Sequence, residues 1–292
     1  MDDTRTPDGA PRLGFIGAGR LGTALAWSFA RRGCTVVAVA SRSAASARRL
    51  ADGIAGCTVS GAQAVVDAAD LVFVTTPDDA LAPVTAALRW RRGAAAVHCS
   101  GASELAVLSP AADAGAAVGG FHPLQSFAET QASIASLPGC TITIEAGEPL
   151  RAALVALAGA LGCHVNLLPP GARALYHAAA GYASQFVNVL LREASTAWQH
   201  WGASEEQALR ALLPLARGTL ASIERVGVAR GLPGPASRGD VGSIEKHVAV
   251  LGSLDGEMLR LYRELCARSV VLALERGGID AATAAKLRSA LG

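Results

Sequence analysis

Lysine is almost missing from this chain. Of 292 residues only Lys246 and Lys286 are lysines, so residues 1–245 contain none. Chemistry in that long stretch must take its protons from another side chain, and histidine is the natural donor near neutral pH. An excess of one charge is lacking too. The net charge is +2, 17% of residues are charged, and the arginines are scattered. That removes the electrostatic reason to seek nucleic acid or an anionic membrane. Metal-ligand spacing is absent: the six cysteines stand far apart at 34, 57, 99, 140, 163 and 266, without a C-x-x-C or Cys/His set. They read as buried free thiols in a reducing cytosol, with neither metal nor disulfide framework. The most apolar stretch, 152–168, is interrupted by Gly159, Gly162, His164 and Asn166. It predicts a helix followed by a strand, not a membrane span. Residues 1–10 are polar, lack the basic and apolar regions of a signal peptide, and are expected to form a disordered tail. A cytoplasmic protein is the expectation.

What is present begins with a glycine turn. The apolar run Leu13-Gly14-Phe15-Ile16 leads into Gly17-Ala18-Gly19-Arg20-Leu21-Gly22, and an apolar helix opens inside it. This is G-x-G-x-x-G between strand and helix: Gly17 permits the tight turn, Gly19 lets a pyrophosphate approach the backbone, and Gly22 allows close packing. The helix N-terminus offers N–H groups and a positive dipole end to phosphates. A second strand, 34–40, ends in Ser41-Arg42-Ser43. An NAD-binding fold usually carries a carboxylate there for the ribose hydroxyls. Two hydroxyls and a guanidinium suit a 2′-phosphate instead, which favours NADP(H). Capping of the helix at 44–50 by Ser41 or Ser43 is compatible with that role.

Up to about Pro170 short apolar strands alternate with Ala-rich helices. Strands are predicted near 12–16, 34–40, 57–59, 70–76, 94–99, 117–121, 140–145 and 163–168. The pattern implies an α/β fold with a doubly wound, mostly parallel Rossmann-type sheet. Ligands gather beyond the carboxyl ends of such strands. That singles out Thr75, Thr76 and Pro77, then His98 and Ser100, then the 122–127 segment. Pro169-Pro170-Gly171 marks a boundary between an NADP-binding domain, 11–169, and an all-helical domain, 170–292. The second predicts a long helix from 172 to 201, another over 204–226 kinked or split by Pro214, and helices near 241–251, 253–276 and 280–290.

The glycine turn, Thr75-Thr76-Pro77-Asp78, His98-Cys99-Ser100-Gly101-Ala102, His122-Pro123-Leu124-Gln125-Ser126-Phe127, Tyr176-His177-Ala178 and Gly234-Pro235-Ala236-Ser237-Arg238-Gly239-Asp240 stand in that order. This order resembles one family, in which a Rossmann-like NADP-binding domain precedes a helical domain, DUF2520. The resemblance covers nearly the whole chain. It places the chain near 6-phosphogluconate dehydrogenase, the β-hydroxyacid dehydrogenases, pyrroline-5-carboxylate reductase and ketopantoate reductase. It implies reduction of a small 2-oxo acid, ketopantoate-like, in a cleft between the domains, and a homodimer built through the helical domain. Two departures stand out. Family members commonly have Asn after the serine of the long helix, where this chain has Ser184-Gln185, so the amide reaches one methylene further. The β-hydroxyacid dehydrogenases use a lysine on this helix, and this chain has none there.

Ketone reduction needs hydride at carbon and a proton at the developing alkoxide. His122, at a strand end before Pro123, and His177, opening the long helix, are the candidate donors. His122 equally suits a turn-stabilising role, although its segment also resembles the His-Pro segment of prephenate dehydrogenases. On a continuous helix His177, Gly181, Ser184 and Asn188 share a face. That stripe is expected to border the site, while Leu175, Ala179, Tyr182, Phe186 and Val189 form core. His98 is expected near the nicotinamide or as a positioning residue for Ser100. Arg238 suits a substrate carboxylate. Asp240 would orient it or cap the next helix, and His247 lies two turns further on the same side; an Arg238–Asp240 pair that only fixes the loop is the alternative. Prephenate-type dehydrogenation, imine reduction and a non-catalytic NADP(H) sensor remain as other readings.

Overall fold

The computed structural model describes residues 10–127 and 134–292. The tail expected over 1–10 therefore lies, apart from Ala10, outside the described residues. The chain divides into two compact units, one ending at Ser184 and one beginning at Gln185.

The first unit is built on one sheet of eight strands: β1 (Leu13–Ile16), β2 (Val36–Ala40), β3 (Thr58–Val59), β4 (Leu71–Val74), β5 (Ala95–His98), β6 (Ala117–Pro123), β7 (Thr141–Ala146) and β8 (His164–Leu167). Their order is β3-β2-β1-β4-β5-β6-β7-β8. Neighbours run parallel except β6 and β7, which are antiparallel. Each predicted strand is present, with ends shifted by a few residues. Helices α1 (Arg20–Arg31), α2 (Ala44–Asp52), α3 (Ala62–Ala68), α4 (Asp78–Ala86), α5 (Ser109–Asp113) and α6 (Leu150–Ala160) connect the strands, and α7 (Arg173–Ala183) follows β8.

Around β1 and β4 the sheet is apolar on both faces, as their unbroken runs require of buried parallel strands. On one face Phe15, Phe29, Phe73 and Phe121 meet with ring centroids 5.2–6.1 Å apart. They join Ile142, Ile144, Leu150 and Leu154 in one core. On the other face Ile16, Val72, Val74 and Ala96 pack with Val65, Leu81 and Leu108. The strand order reverses between β1 and β4, so the carboxyl ends of these two strands frame the crevice where such sheets bind ligands.

The second unit is helical: α8 (Gln185–Gln199), α9 (Glu205–Val226), a 3-10 turn at Ala236–Arg238, α10 (Val241–Leu254), α11 (Gly256–Glu275) and α12 (Ala281–Leu291). Side-chain oxygens cap four of these helices, with Ser204 in a capping box and Asp240, Asp255 and Asp280 at the others. Ile244, Val270, Ala284, Leu287 and Leu291 form its core. No helix among the described residues is long and apolar enough to cross a membrane.

Three expectations need correction. The helix expected over 172–201 is two helices, because Ser184 leaves helical geometry at φ −127°, ψ −85°. Gly181 and Ser184 are weak helix formers, and such residues are common at breaks. Pro214 does not split its helix: α9 runs from Glu205 to Val226 with the proline inside. The lost hydrogen bond, costing about 3 kcal/mol, is outweighed in a long, well-capped helix. Finally, the stripe expected as core is exposed in the single chain, Leu175 by 77% and Tyr182 by 75%. The face that α7 buries is the polar one, through Arg173 and Tyr176. Those contacts tie α7 to the sheet, and the first compact unit ends at Ser184.

Candidate functional site

At the switch point the glycine turn is locked to the loop after β4. Thr75 N donates to Ile16 O at 2.8 Å and Thr75 Oγ1 donates to Gly17 O at 2.7 Å. Gly17 has φ +115°, and a side chain there would press into the Thr75 carbonyl. A Cβ on Gly22 would collide with Gly17 O and Thr75 Oγ1. Gly19 is different, since nothing lies within 4 Å of where its Cβ would be. It is the N-cap of α1, makes no side-chain cap, and no acidic residue stands in the first turn. The Cβ direction of Gly19 thus opens onto free space next to Arg20, while Leu21 packs against the core. Thr76 Oγ1, next to the turn, is buried without a hydrogen-bond partner among the described residues. Pro77 is the N-cap of α4. Beyond β2, Ser43 Oγ caps α2 through Ser46 N, Ser41 Oγ accepts from Ser43 N, and Arg42 is exposed. Both hydroxyls keep their protons for donation, so capping leaves them able to meet a phosphate. An open cradle at Gly19, an orphaned threonine hydroxyl and an exposed Ser-Arg-Ser edge fit a dinucleotide with a 2′-phosphate.

The second cluster follows from strand register. His98 pairs with Gly120 across β5–β6, and Gly120 pairs with Glu145 across β6–β7. One pleat further, His122 pairs with Thr143 and Thr143 with Asn166. Because side chains alternate along strands, these two rows share one face. Helix α7 supplies Arg173, Tyr176 and His177, at i, i+3 and i+4 and hence on one side.

Arg173 is fully buried, as is nearly all of Glu145. Its Nε and Nη2 donate to Glu145 Oε2 at 2.9 and 2.6 Å, and Nη1 donates to the Ser100 carbonyl at 3.0 Å. Gly120 makes room: a Cβ there would collide with Arg173 Nη2 and sit 3.5 Å from His98 Cε1. Ser100 N donates to His98 Nδ1 at 3.2 Å. His98 therefore carries its proton on Nε2, which is buried without a hydrogen-bond partner among the described residues. The Ser100 hydroxyl serves its own turn, accepting from Ala102 N and Ser103 N and donating to Ser103 Oγ.

Above the turn, His122 and His177 flank Gly101: a Cβ there would lie 2.9 Å from His122 Nε2 and 2.7 Å from His177 Cδ2. His122 Nδ1 is 2.7 Å from the Tyr176 hydroxyl. Thr143 pulls the Tyr176 pKa down and accepts from Asn166 Nδ2 at 3.3 Å. With the Tyr176 hydroxyl donating to His122 Nδ1, the His122 proton is assigned to Nε2. Burial, then His177 and Arg173, push the His122 pKa down to about 4, with Asp78 opposing. Burial, then Arg173 and His122, push His98 down to about 3. Both imidazoles are uncharged at neutral pH. Burial raises the Tyr176 pKa, while Thr143 and Arg173 act against it.

Sequence reading missed Arg173, Glu145, Thr143 and Tyr176 as a group. The other candidates lie on other elements. Ser184 ends the first unit and Asn188 lies in α8. In the second unit Arg238 is exposed, Asp240 caps α10 by accepting from Ser243 N and Oγ, and His247 Nδ1 lies 2.8 Å from the Tyr262 hydroxyl. The capping role foreseen for Asp240 is the one observed.

Residues 3–123 match the model of a Rossmann-like domain, and residues 140–269 match that of a domain of unknown function, DUF2520. Two stretches of the chain are thus similar to a Rossmann-like domain and to a DUF2520 domain, in that order. Arg173, Tyr176 and His177 thus belong to the DUF2520 segment, while His98, Ser100 and His122 belong to the Rossmann-like one. Among solved structures, a candidate NADP oxidoreductase of Bacteroides fragilis is 26% identical, with 89% of this chain and 98% of that one covered at a TM-score of 0.68. A protein of Thermotoga maritima is 22% identical, covering 90% and 99% at 0.74. A reductive aminase of Aspergillus terreus, in complex with NADPH4, cyclohexanone and allyl amine, is 20% identical, covering 96% and 99% at 0.64. No curated protein matches the chain.

Proposed function

We propose that this Rossmann-like/DUF2520 chain is an NADP(H)-dependent oxidoreductase that reduces the carbonyl of a small 2-oxo acid, ketopantoate-like in size and charge. Gly17, Gly19 and Gly22 with the α1 N-terminus hold the pyrophosphate, and Ser41, Arg42 and Ser43 hold the 2′-phosphate. The bound nicotinamide supplies the hydride. The observation that carries the reading is the short Tyr176–His122 contact, with His122 Nε2 turned toward Gly101. As negative charge develops on the substrate oxygen, that oxygen takes the Nε2 proton of His122. His122 Nδ1 takes the Tyr176 proton in the same movement, so the imidazole stays uncharged throughout. The phenolate left behind is held by the Thr143 hydroxyl and the nearby Arg173 cation, and solvent returns its proton. A phenol is a far stronger acid than the alcohol formed, so the transfer runs downhill. We assign support of the bound substrate to His177 and Ser184. The exposed apolar residues of α8 and α9 support a homodimer.

A second reading has its own support. With His98 and His122 uncharged at neutral pH, the site also suits an iminium, which arrives protonated and needs no acid. The fold likeness to a reductive aminase points the same way. Consumption of NADPH, followed with ketopantoate and other 2-oxo acids and with a cyclic imine, separates the two. Turnover of oxo acids that falls in Tyr176→Phe and His122→Asn supports the first reading. Turnover of imines alone, indifferent to both substitutions, supports the second. Tight NADPH binding without turnover of either class indicates a sensor.

A further inference from the structure

The buried Arg173–Glu145 pair passes no proton itself, yet Arg173 shares helix α7 with Tyr176 and acts on its phenol. Taking a guanidinium and a carboxylate out of water costs several kcal/mol per ion unless both are well bonded. Apolar residues of similar volume would often serve stability as well. Here the pair sits on a glycine, reaches the main chain of the turn before Gly101, and has no solvent exposure at the guanidinium.

We propose that Arg173, locked by Glu145, is the positioning residue of this site: it pins the 98–101 turn through the Ser100 carbonyl and presents a fixed cation to the imidazoles of His98 and His122. The inference rests on the reading of His122 as the group that meets substrate. Two geometric links carry it. Arg173 Nη1 holds Ser100 O while Ser100 N holds His98 Nδ1, so one residue of the turn joins the cation to the first imidazole. Arg173 and Tyr176 lie one turn apart on α7, so the same helix that buries the cation aligns the phenol with His122. The charged and titratable groups facing the two imidazoles are Arg173, Tyr176 and His177 from α7, Glu145 from β7 and Asp78 from α4. Arg173 disfavours protonation of both rings, and Asp78 favours protonation of His122. A neutral His122 is what the relay requires, since a protonated Nδ1 cannot accept from Tyr176.

The test is a proton–carbon NMR titration of the histidine Cε1–H signals in the full chain, which does not depend on any activity. Arg173→Met/Glu145→Gln removes both charges together and so avoids leaving one buried ion alone. In it the titration midpoints of His98 and His122 should rise by about one pH unit or more. Unchanged midpoints in a folded double variant overturn the proposal. Glu145→Gln keeps the cation and an acceptor for it, and serves if the double variant fails to fold. It should move both midpoints in the opposite direction, downward, and a rise or no movement overturns the proposal. The acid limb of kcat should follow the His122 midpoint in each variant. If the midpoints move while His122→Asn leaves turnover intact, the positioning role stands and the assignment of His122 as donor fails.

Discussion

The Tyr176 hydroxyl lies 2.7 Å from His122 Nδ1, and the two rings meet edge to face at 85°. The pair joins a helix of the DUF2520 segment to the last residues of a Rossmann strand, and it gives a neutral imidazole a source of protons. Tyr176→Phe preserves the ring and removes only the hydroxyl. It should lower kcat for 2-oxo acids by about 10²-fold, within the usual contribution of a general acid, while the NADPH dissociation constant stays as it was. Stopped-flow single turnovers together with a fluorescence titration of NADPH check both halves.

The glycine turn yields a contrast between neighbours. Gly19→Ala places a methyl in open space, so thermal stability should hold while NADPH affinity falls about tenfold as the pyrophosphate is kept from the backbone. Gly22→Ala drives a methyl into Gly17 O and Thr75 Oγ1. It should cost about 1–3 kcal/mol of stability, as overpacking does. Calorimetry of both variants beside a binding titration distinguishes the roles.

Acid should weaken the fold through His98. Its native pKa is pushed down to about 3, against an ordinary value of 6.5. Between those values the unfolded chain binds a proton that the folded one refuses. Stability is therefore full above about pH 6.5 and is lost as the pH falls, with a slope approaching about 1.4 kcal/mol per pH unit for one group. Urea unfolding at several pH values should show this, and His98→Asn should flatten the slope.

How much of this was legible in the sequence depends on which period carried the signal. Buried parallel strands announce themselves as apolar runs, so all eight could be placed, and the turn at Gly17–Gly22 was visible because its pattern is local. The Arg173–Glu145 and Tyr176–His122 pairs were not, because they need the register of two antiparallel strands and the face that α7 turns to the sheet. A signal was present: Thr141, Thr143 and Glu145 alternate with Ile142 and Ile144, and Arg173, Tyr176 and His177 share a helix face. The alternation says that one face of β7 is polar, and a buried polar face demands partners. The break at Ser184 was hidden for a different reason, since a weak helix former within an apolar-periodic run leaves no unambiguous mark. The exposure of Leu175 and Tyr182 reverses the usual inference that an apolar helix stripe packs within its own chain.

That exposure leads to the last prediction. Val189 and Leu190 on α8 and Leu215 and Leu220 on α9 are 43–67% exposed, within a unit whose own core is built from α10, α11 and α12. Large apolar side chains left exposed on two packed helices mark an interaction face, and a second copy is the partner always present. The chain should sediment at about twice its 29.6 kDa. Leu190→Glu/Leu220→Glu changes exposed positions, so helix content by circular dichroism should be unchanged while the sedimenting species falls to the monomer, because charges opposed across a two-fold contact repel. A wild-type chain that sediments as a monomer at micromolar concentration would overturn the homodimer.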